Sequence, residues 1–284
     1  MTIAQIIDGK AIATRLRQAI GTEVLQLKNE ANITPGLAVV LVGNNPASKL
    51  YVRNKITACK TAGINLFEFY PADNISEQAL INEIQLLNQN PDVHGILVQL
   101  PLPNHISPIN IINSIDPNKD VDGFTATNLG KLVTAQDCFT PCTPAGCLIL
   151  IKTVIENLQG LNALIIGRSN IVGKPMLHVL LQENCTVTIA HSYSANLAKL
   201  CQEADILVAA TGHEHLIKGD WIKPGAVVID VGINYTLENK ITGDVEFESA
   251  LHRAKAISPV PGGVGPMTVT CLLKNTLKAA IATK

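Results

Sequence analysis

The chain has 284 residues, and its 22 Lys or Arg against 23 Asp or Glu give a formal charge of −1. That balance leaves no basic excess to hold a phosphate backbone, so no nucleic-acid partner is expected. Apolar residues at 47% beside charged residues at 16% exclude a disordered chain, and the length suits about two domains.

No apolar run approaches the roughly 18 residues of a membrane span, so no membrane partner is expected. The opening MTIAQIIDGKAIATRLRQ carries Asp8 and lacks the apolar region of a secretory signal. Seven cysteines, an odd number without a CxxC pair, fit a reducing cytoplasm better than a disulfide framework.

Residues 10–30 place Ile12, Leu16, Ile20, Val24 and Leu27 on one helical stripe. Thr34-Pro35-Gly36 stops that helix, and LAVVLVG (37–43) reads as a buried strand. A polar helix over 46–62 follows, ended by Gly63. Strands at 64–70 and 93–99 flank a helix over 76–88, and the alternation predicts a parallel sheet covered on both faces. Residues 101–145 are dense in Pro, Gly and polar residues and read as an interdomain loop region. Beyond them come a helix at 144–158, a strand at 162–166, a helix at 174–183, a strand at 186–190, a helix at 195–203 and strands at 205–209 and 226–230. This succession predicts a Rossmann-like doubly wound domain. A last amphipathic helix covers 267–282.

Two segments point to chemistry. The loop Gly167-Arg-Ser-Asn-Ile-Val-Gly173 lies between a strand and a helix, where glycine permits a sharp turn and the helix start offers N–H groups to phosphate. It departs from GxGxxG, with Ser169 and Val172 at two glycine positions, and an ordinary strand-to-helix turn stays open as a reading. The next strand ends in His191 and Ser192, without the carboxylate that usually holds an NAD ribose. Arg168 beside Gly167 is either a solvated charge or a partner for a 2′-phosphate, and the absent carboxylate tips the choice toward NADP.

The helix over 46–62 aligns Ser48, Tyr51, Lys55 and Cys59 at steps of three and four. Such a stripe is either a wet face or a reactive one. Val52 and Ile56 flank it, and an apolar wall would disfavour the ammonium form of a lysine there. Gln99 ends the run GILVQ at a strand C-terminus, where sites in open α/β sheets form, and Asp122 sits in KDVDGF. Cys138, Cys142 and Cys147 lack structural-zinc spacing, and His213 and His215 read as surface residues, so no metal is expected.

Taken in order, VGNNPASKLYVRNK (42–55), GILVQLPLP (95–103), DPNKDVDGF (116–124), PCTPAG (141–146), GRSNIVGKP (167–175), IDVGIN (229–234) and SPVPGGVGPMT (258–268) are familiar together. The chain resembles the bifunctional methylenetetrahydrofolate dehydrogenase/methenyltetrahydrofolate cyclohydrolase family over nearly its whole length. That resemblance implies two α/β domains flanking a cleft, with residues 1–140 plus 269–284 forming a folate-binding catalytic domain and 141–268 an NADP-binding Rossmann-like domain. It implies NADP-dependent oxidation of 5,10-methylenetetrahydrofolate, hydrolysis of the methenyl product to 10-formyltetrahydrofolate, and a homodimer joined through the nucleotide domain. It also implies a cytoplasmic place in one-carbon metabolism, serving purine, methionine and histidine biosynthesis.

By the same resemblance Lys55 is the catalytic lysine, Tyr51 lines the folate ring, Gln99 is the hydrogen-bonding partner, and Asp122 holds the pterin. Ser48, Leu100, Pro261 and Gly262 complete the substrate contacts. Gly167, Arg168, Ser169, Ser192, Ile233 and Thr268 fall at cofactor-contacting positions. Two other readings remain: an NADP dehydrogenase of the shikimate or amino-acid type without cyclohydrolase activity, and a non-catalytic nucleotide-sensing relative.

Overall fold

The computed structural model describes residues 3–236, 238 and 240–284, without the side chain of residue 47. In chain order its elements begin with β1 (Gln5–Ile6), α1 (Gly9–Ala31), β2 (Gly36–Val40), α2 (Pro46–Ala62), β3 (Asn65–Phe69), α3 (Glu77–Gln89) and β4 (Gly95–Val98). Next come α4 (Pro108–Asn113), α5 (Ala126–Val133), α6 (Cys142–Lys152), β5 (Asn162–Ile166), α7 (Gly173–Gln182), β6 (Thr186–Ala190) and α8 (Leu197–Glu203). The chain finishes with β7 (Ile206–Ala209), β8 (Val227–Asp230), β9 (Asn234–Tyr235), β10 (Ile241–Thr242), α9 (Phe247–Ala250), β11 (Ala256–Ile257) and α10 (Val264–Ile281).

These elements form two compact units, Thr14–Cys142 with Val269–Lys284 and the segment up to Ala13 with Thr143–Thr268. The first holds a parallel sheet in the order β3-β2-β4. Every residue of β2 and β4 is buried, as two covered faces require. Ala38, Val40, Ile96 and Val98 share one core with Leu80 and Ile84 of α3. Each fully buried Ile, Leu or Val contributes about 1.5–3 kcal/mol.

Local chemistry fixes the helices here. The Asn45 side chain accepts from the Ser48 N–H at 3.1 Å and Pro46 opens α2. Gly63, at φ +77°, ends it in the left-handed conformation that spares a Cβ clash. Ser76 caps α3 by accepting from Ala79 N–H at 3.2 Å. The stretch over 101–145, expected as loop, contains α4 and α5, capped by Ser107 and Thr125. Both helices are short, and only capping and packing mark them out from turns.

The second unit holds a six-stranded sheet in the order β1-β11-β8-β7-β5-β6, every pairing parallel. Strand order reverses at β5, which lies between β6 and β7. In an open α/β sheet such a reversal opens a crevice at the strand C-termini. The N-terminal segment departs from the sequence reading, which placed residues 1–140 together. Gln5 and Ile6 of β1 lie opposite Ala256 and Ile257, and the Ile7 N–H donates to the Ile257 carbonyl at 2.9 Å. A two-residue strand carries no periodicity of its own, so its sheet is decided by partners distant in sequence.

Candidate active site

In the three-stranded unit, sheet order reverses at β2, and Gln99 follows β4 at that reversal with its N–H donating to the Val40 carbonyl at 2.9 Å. From α2, the Lys55 ammonium Nζ donates to Gln99 Oε1 at 3.1 Å. The Gln99 amide donates in turn to the Leu100 carbonyl at 2.6 Å, and the Leu100–Pro101 peptide is cis. Gln99 is thereby held at both ends of its amide, and its oxygen fixes the direction of the lysine.

The stripe on α2 is no wet face. Ser48 is 3% exposed and Cys59 fully buried, while Tyr51 and Lys55 are half-buried. Burial pushes the Cys59 thiol up to about 12, against the pull of Lys55 and Arg17, so it is not a nucleophile at neutral pH. Asp122 is half-buried on the segment between β4 and α5. Burial raises its carboxyl above the usual carboxylate range, Lys55 lowers it, Asp120 raises it, and a hydrogen bond from the Cys142 thiol lowers it. Asp122, Lys55 and Gln99 are thus gathered as one cluster. Cys142, quoted in PCTPAG but given no role, joins them through its thiol.

Asp120, two residues away, has another task. Its carboxylate accepts from the N–H groups of Gly123, Phe124 and Thr125 and from the Asn128 amide, at 2.8–3.1 Å. It is 1% exposed and builds the turn that presents Asp122.

In the six-stranded unit the loop after β5 lies at the crevice. Gly167 has φ +121°, and a Cβ there would strike the Ala210 carbonyl at the end of β7. A Cβ on Gly173 would strike the Gly167 carbonyl, so both glycines are required for the loop to fold this tightly. Ser169 Oγ accepts from the N–H groups of Val172 and Gly173 at 3.2 and 3.4 Å and so shapes the start of α7. Arg168 is exposed, with its guanidinium 5.5 Å from the ring centroid of Tyr193, a residue the sequence reading passed over. Ser192 is exposed after β6, where His191, Ser192 and Tyr193 bring no carboxylate. Ile233, 44% exposed, follows β8.

Thr268 lies on α10, its hydroxyl 3.0 Å from that of Thr143. Pro261 and Gly262 belong to the six-stranded unit, apart in the chain from the lysine cluster. The Val260–Pro261 peptide is cis, and the Gly262 carbonyl accepts from the Lys10 N–H at 2.9 Å.

A tight glycine loop where a parallel sheet reverses, an exposed arginine beside it and no acid among the residues just after β6 fit a dinucleotide carrying a 2′-phosphate. With an amine, an amide and a carboxyl gathered on a separate α/β unit, these features define the class as a dinucleotide-dependent enzyme. Among the described residues, no helix is long and apolar enough to cross a membrane, and no three His, Cys, Asp or Glu residues gather as metal ligands.

The particular family follows from comparison. Residues 7–122 match the tetrahydrofolate dehydrogenase/cyclohydrolase catalytic domain, and residues 141–284 match the NAD(P)-binding domain of the same enzymes. The bifunctional protein FolD of a Wolbachia species from Drosophila simulans is 56% identical over 100% of this chain and 97% of its own length. The FolD structure from Campylobacter jejuni aligns with TM-score 0.97 at 42% identity, covering 99% of this chain and 100% of that one. FolD from Trypanosoma brucei, complexed with NADP cofactor and inhibitor, aligns with TM-score 0.95 at 36% identity over 100% and 99% of the two chains. The chain belongs to the tetrahydrofolate dehydrogenase/cyclohydrolase family. It is a bifunctional enzyme of tetrahydrofolate one-carbon metabolism that uses NADP, and the shikimate-type and non-catalytic readings are not favoured.

Proposed function

We propose that Lys55, held by Gln99, is the acid–base group of the hydrolytic half-reaction, and that Asp122 and Tyr51 place the folate against it. The observation that carries this reading is the 3.1 Å hydrogen bond from Lys55 to Gln99 at the C-terminal end of β4. The enzyme oxidises 5,10-methylenetetrahydrofolate to the methenyl form and hydrolyses that product to 10-formyltetrahydrofolate. Gly167, Arg168, Ser169 and Ser192 would hold NADP, which would supply the hydride acceptor for the methylene carbon.

Hydride loss is driven by the lone pairs of the two flanking folate nitrogens, so it needs alignment and no protein base. Asp122 supports alignment by accepting from the amino and ring N–H donors of the pterin. Tyr51, half-buried one turn before Lys55, offers a ring face to the folate. Ser48, Leu100, Pro261 and Gly262 are the remaining proposed substrate contacts. Oxidation leaves a cationic methenyl bridge whose carbon is open to water, with the amine of Lys55 as the proposed proton-transfer group beside it. That amine takes a proton from the attacking water and returns one to the departing nitrogen. Gln99 holds Nζ in direction through both transfers.

On the cofactor side, the Gly167–Ser169 loop would hold the pyrophosphate, Arg168 and Ser192 the 2′-phosphate, and Ile233 and Thr268 the remainder. The loop geometry supports this, since a Cβ at 167 would strike the Ala210 carbonyl and one at 173 the Gly167 carbonyl, so only glycines let the backbone turn this tightly. We assign folate binding to residues 1–140 with 269–284 and cofactor binding to 141–268, with β1 serving the cofactor sheet.

A homodimer joined through the cofactor unit is supported by β6, the end strand of the six-stranded sheet among the described residues, with Thr186 and Thr188 exposed on one face. Light scattering tests it. A cytoplasmic location is supported by seven cysteines held as thiols, six of them buried. The activity test follows the methenyl intermediate by absorbance with NADP or NAD. Formation and decay of that intermediate is expected, and a dehydrogenase that releases it without accelerating its hydrolysis would overturn the reading.

A further inference from the structure

The carboxylate of Asp244 is fully buried and belongs to no motif assigned a role. It follows β10 and accepts from groups on two other segments. One oxygen takes the N–H groups of Thr211 and Gly212, at 2.5 and 3.1 Å, on the loop after β7. The other takes the Asn234 side-chain amide at 2.9 Å, on the segment after β8. A Cβ on Gly232 would strike that same oxygen, so the carboxylate lies directly against the backbone beside Ile233.

Asp230, at the end of β8, holds Asp244 in place. Its carboxylate accepts from the N–H groups of Asp244, Val245 and Gly232 at 3.0, 2.9 and 2.9 Å. Asp230's own N–H donates to Ser258 Oγ at 2.8 Å. The loop after β7 also meets the cofactor loop, since the Ala210 carbonyl is what a Cβ on Gly167 would strike. One buried carboxylate therefore ties the segment bearing Ile233 to the segment that abuts Gly167, at the C-terminal ends of β7 and β8 where a dinucleotide lies in such sheets.

We infer that Asp244 is a positioning residue for NADP: it fixes the 211–212 and 232–234 segments in one arrangement, so that the cofactor surface is formed before NADP arrives. This rests on the cofactor reading above. A carboxamide keeps one acceptor oxygen and presents an NH₂ in place of the other, so both arms hold only if the Asn234 amide turns over to accept from it, whereas the present side chain accepts from both segments at once.

The test uses the full-length enzyme with Asp244→Asn and Asn234→Ala, the second removing one arm with a smaller risk to folding. NADP binding is measured by titration calorimetry, and methenyltetrahydrofolate hydrolysis is measured separately without NADP. Asp244→Asn is expected to weaken NADP binding and raise its KM by roughly tenfold or more, and Asn234→Ala by a smaller factor in the same direction. NADP-free hydrolysis is expected to stay within about twofold, which a general loss of structure could not produce. Unchanged NADP affinity in folded Asp244→Asn overturns the inference, as does hydrolysis falling in step with NADP binding. Should Asp244→Asn fail to fold, unchanged affinity in Asn234→Ala overturns it. If the unaltered enzyme neither binds NADP nor hydrolyses the methenyl compound, the cofactor reading itself fails, a result distinct from these.

Discussion

Replacing Lys55 by Met is expected to separate the two reactions. Methionine keeps the unbranched stem and the half-buried packing on α2 but removes the amine that donates to Gln99 at 3.1 Å. The Gln99 amide keeps its hydrogen bond to the Leu100 carbonyl, so the strand end holds its shape. What disappears is the proposed proton carrier. General acid–base catalysis contributes about 10²–10⁴-fold, or ~2.7–5.5 kcal/mol of barrier, and the cyclohydrolase rate is expected to fall by that amount. Hydride transfer draws only on alignment, so the dehydrogenase rate is expected to fall by less than about tenfold.

A second effect is calculable in direction. Lys55 lowers the Asp122 carboxyl, so its loss lets that group rise further and stay protonated to higher pH. Both activities are therefore compared in mildly alkaline buffer. The assay follows the methenyl absorbance in one cuvette: its appearance reports oxidation, and its decay after cofactor is exhausted reports hydrolysis. Equal loss of both activities would refute the division of labour and leave Lys55 as a folate-positioning group.

Arg168→Ala is expected to lower kcat/KM for NADP by about tenfold or more while leaving NAD nearly unchanged, and an unaltered preference would remove the 2′-phosphate assignment. Because burial raises the Asp122 carboxyl, kcat/KM for the folate substrate should fall on acidification already above the usual carboxylate range. Asp122→Asn should abolish that limb in a pH profile. Asp230 is pushed by burial up to about 6 from 3.8, against three backbone N–H groups that draw it down. A raised folded value means stability that is present below pH ~4 and lost as pH rises through ~6. The stability gap between the unaltered chain and Asp230→Asn should thus shrink by up to about 2 kcal/mol between pH 4 and pH 7, read by urea unfolding.

The stripe on α2 was legible because spacings of three and four show which residues share a face. Whether that face was wet or buried was not, since periodicity ranks neither side without knowing what packs there. Ser48 and Cys59 settle it by being buried. The loop after β5 was legible as glycines at a strand end. Its tightness was not, because the obstruction is the Ala210 carbonyl, far along the chain. Tyr193 escaped notice for the same reason: its partner Arg168 lies on the preceding strand-to-helix loop. Short elements such as β1, β9, β10 and β11, two residues each, have no periodic signal to read.

By itself the sequence determined the alternation of strands and helices, two α/β units, the glycine loop between β5 and α7 and the family, all properties of neighbours along the chain and of ordered motifs. The tertiary structure alone decided which strands lie side by side, and so where each sheet reverses. It decided that β1 joins the six-stranded sheet, that Lys55 meets Gln99 across 44 positions, and that Asp244 reaches Thr211 across 33. Such contacts rest on burial and hydrogen bonding between groups that only folding brings into range, and no local pattern encodes them.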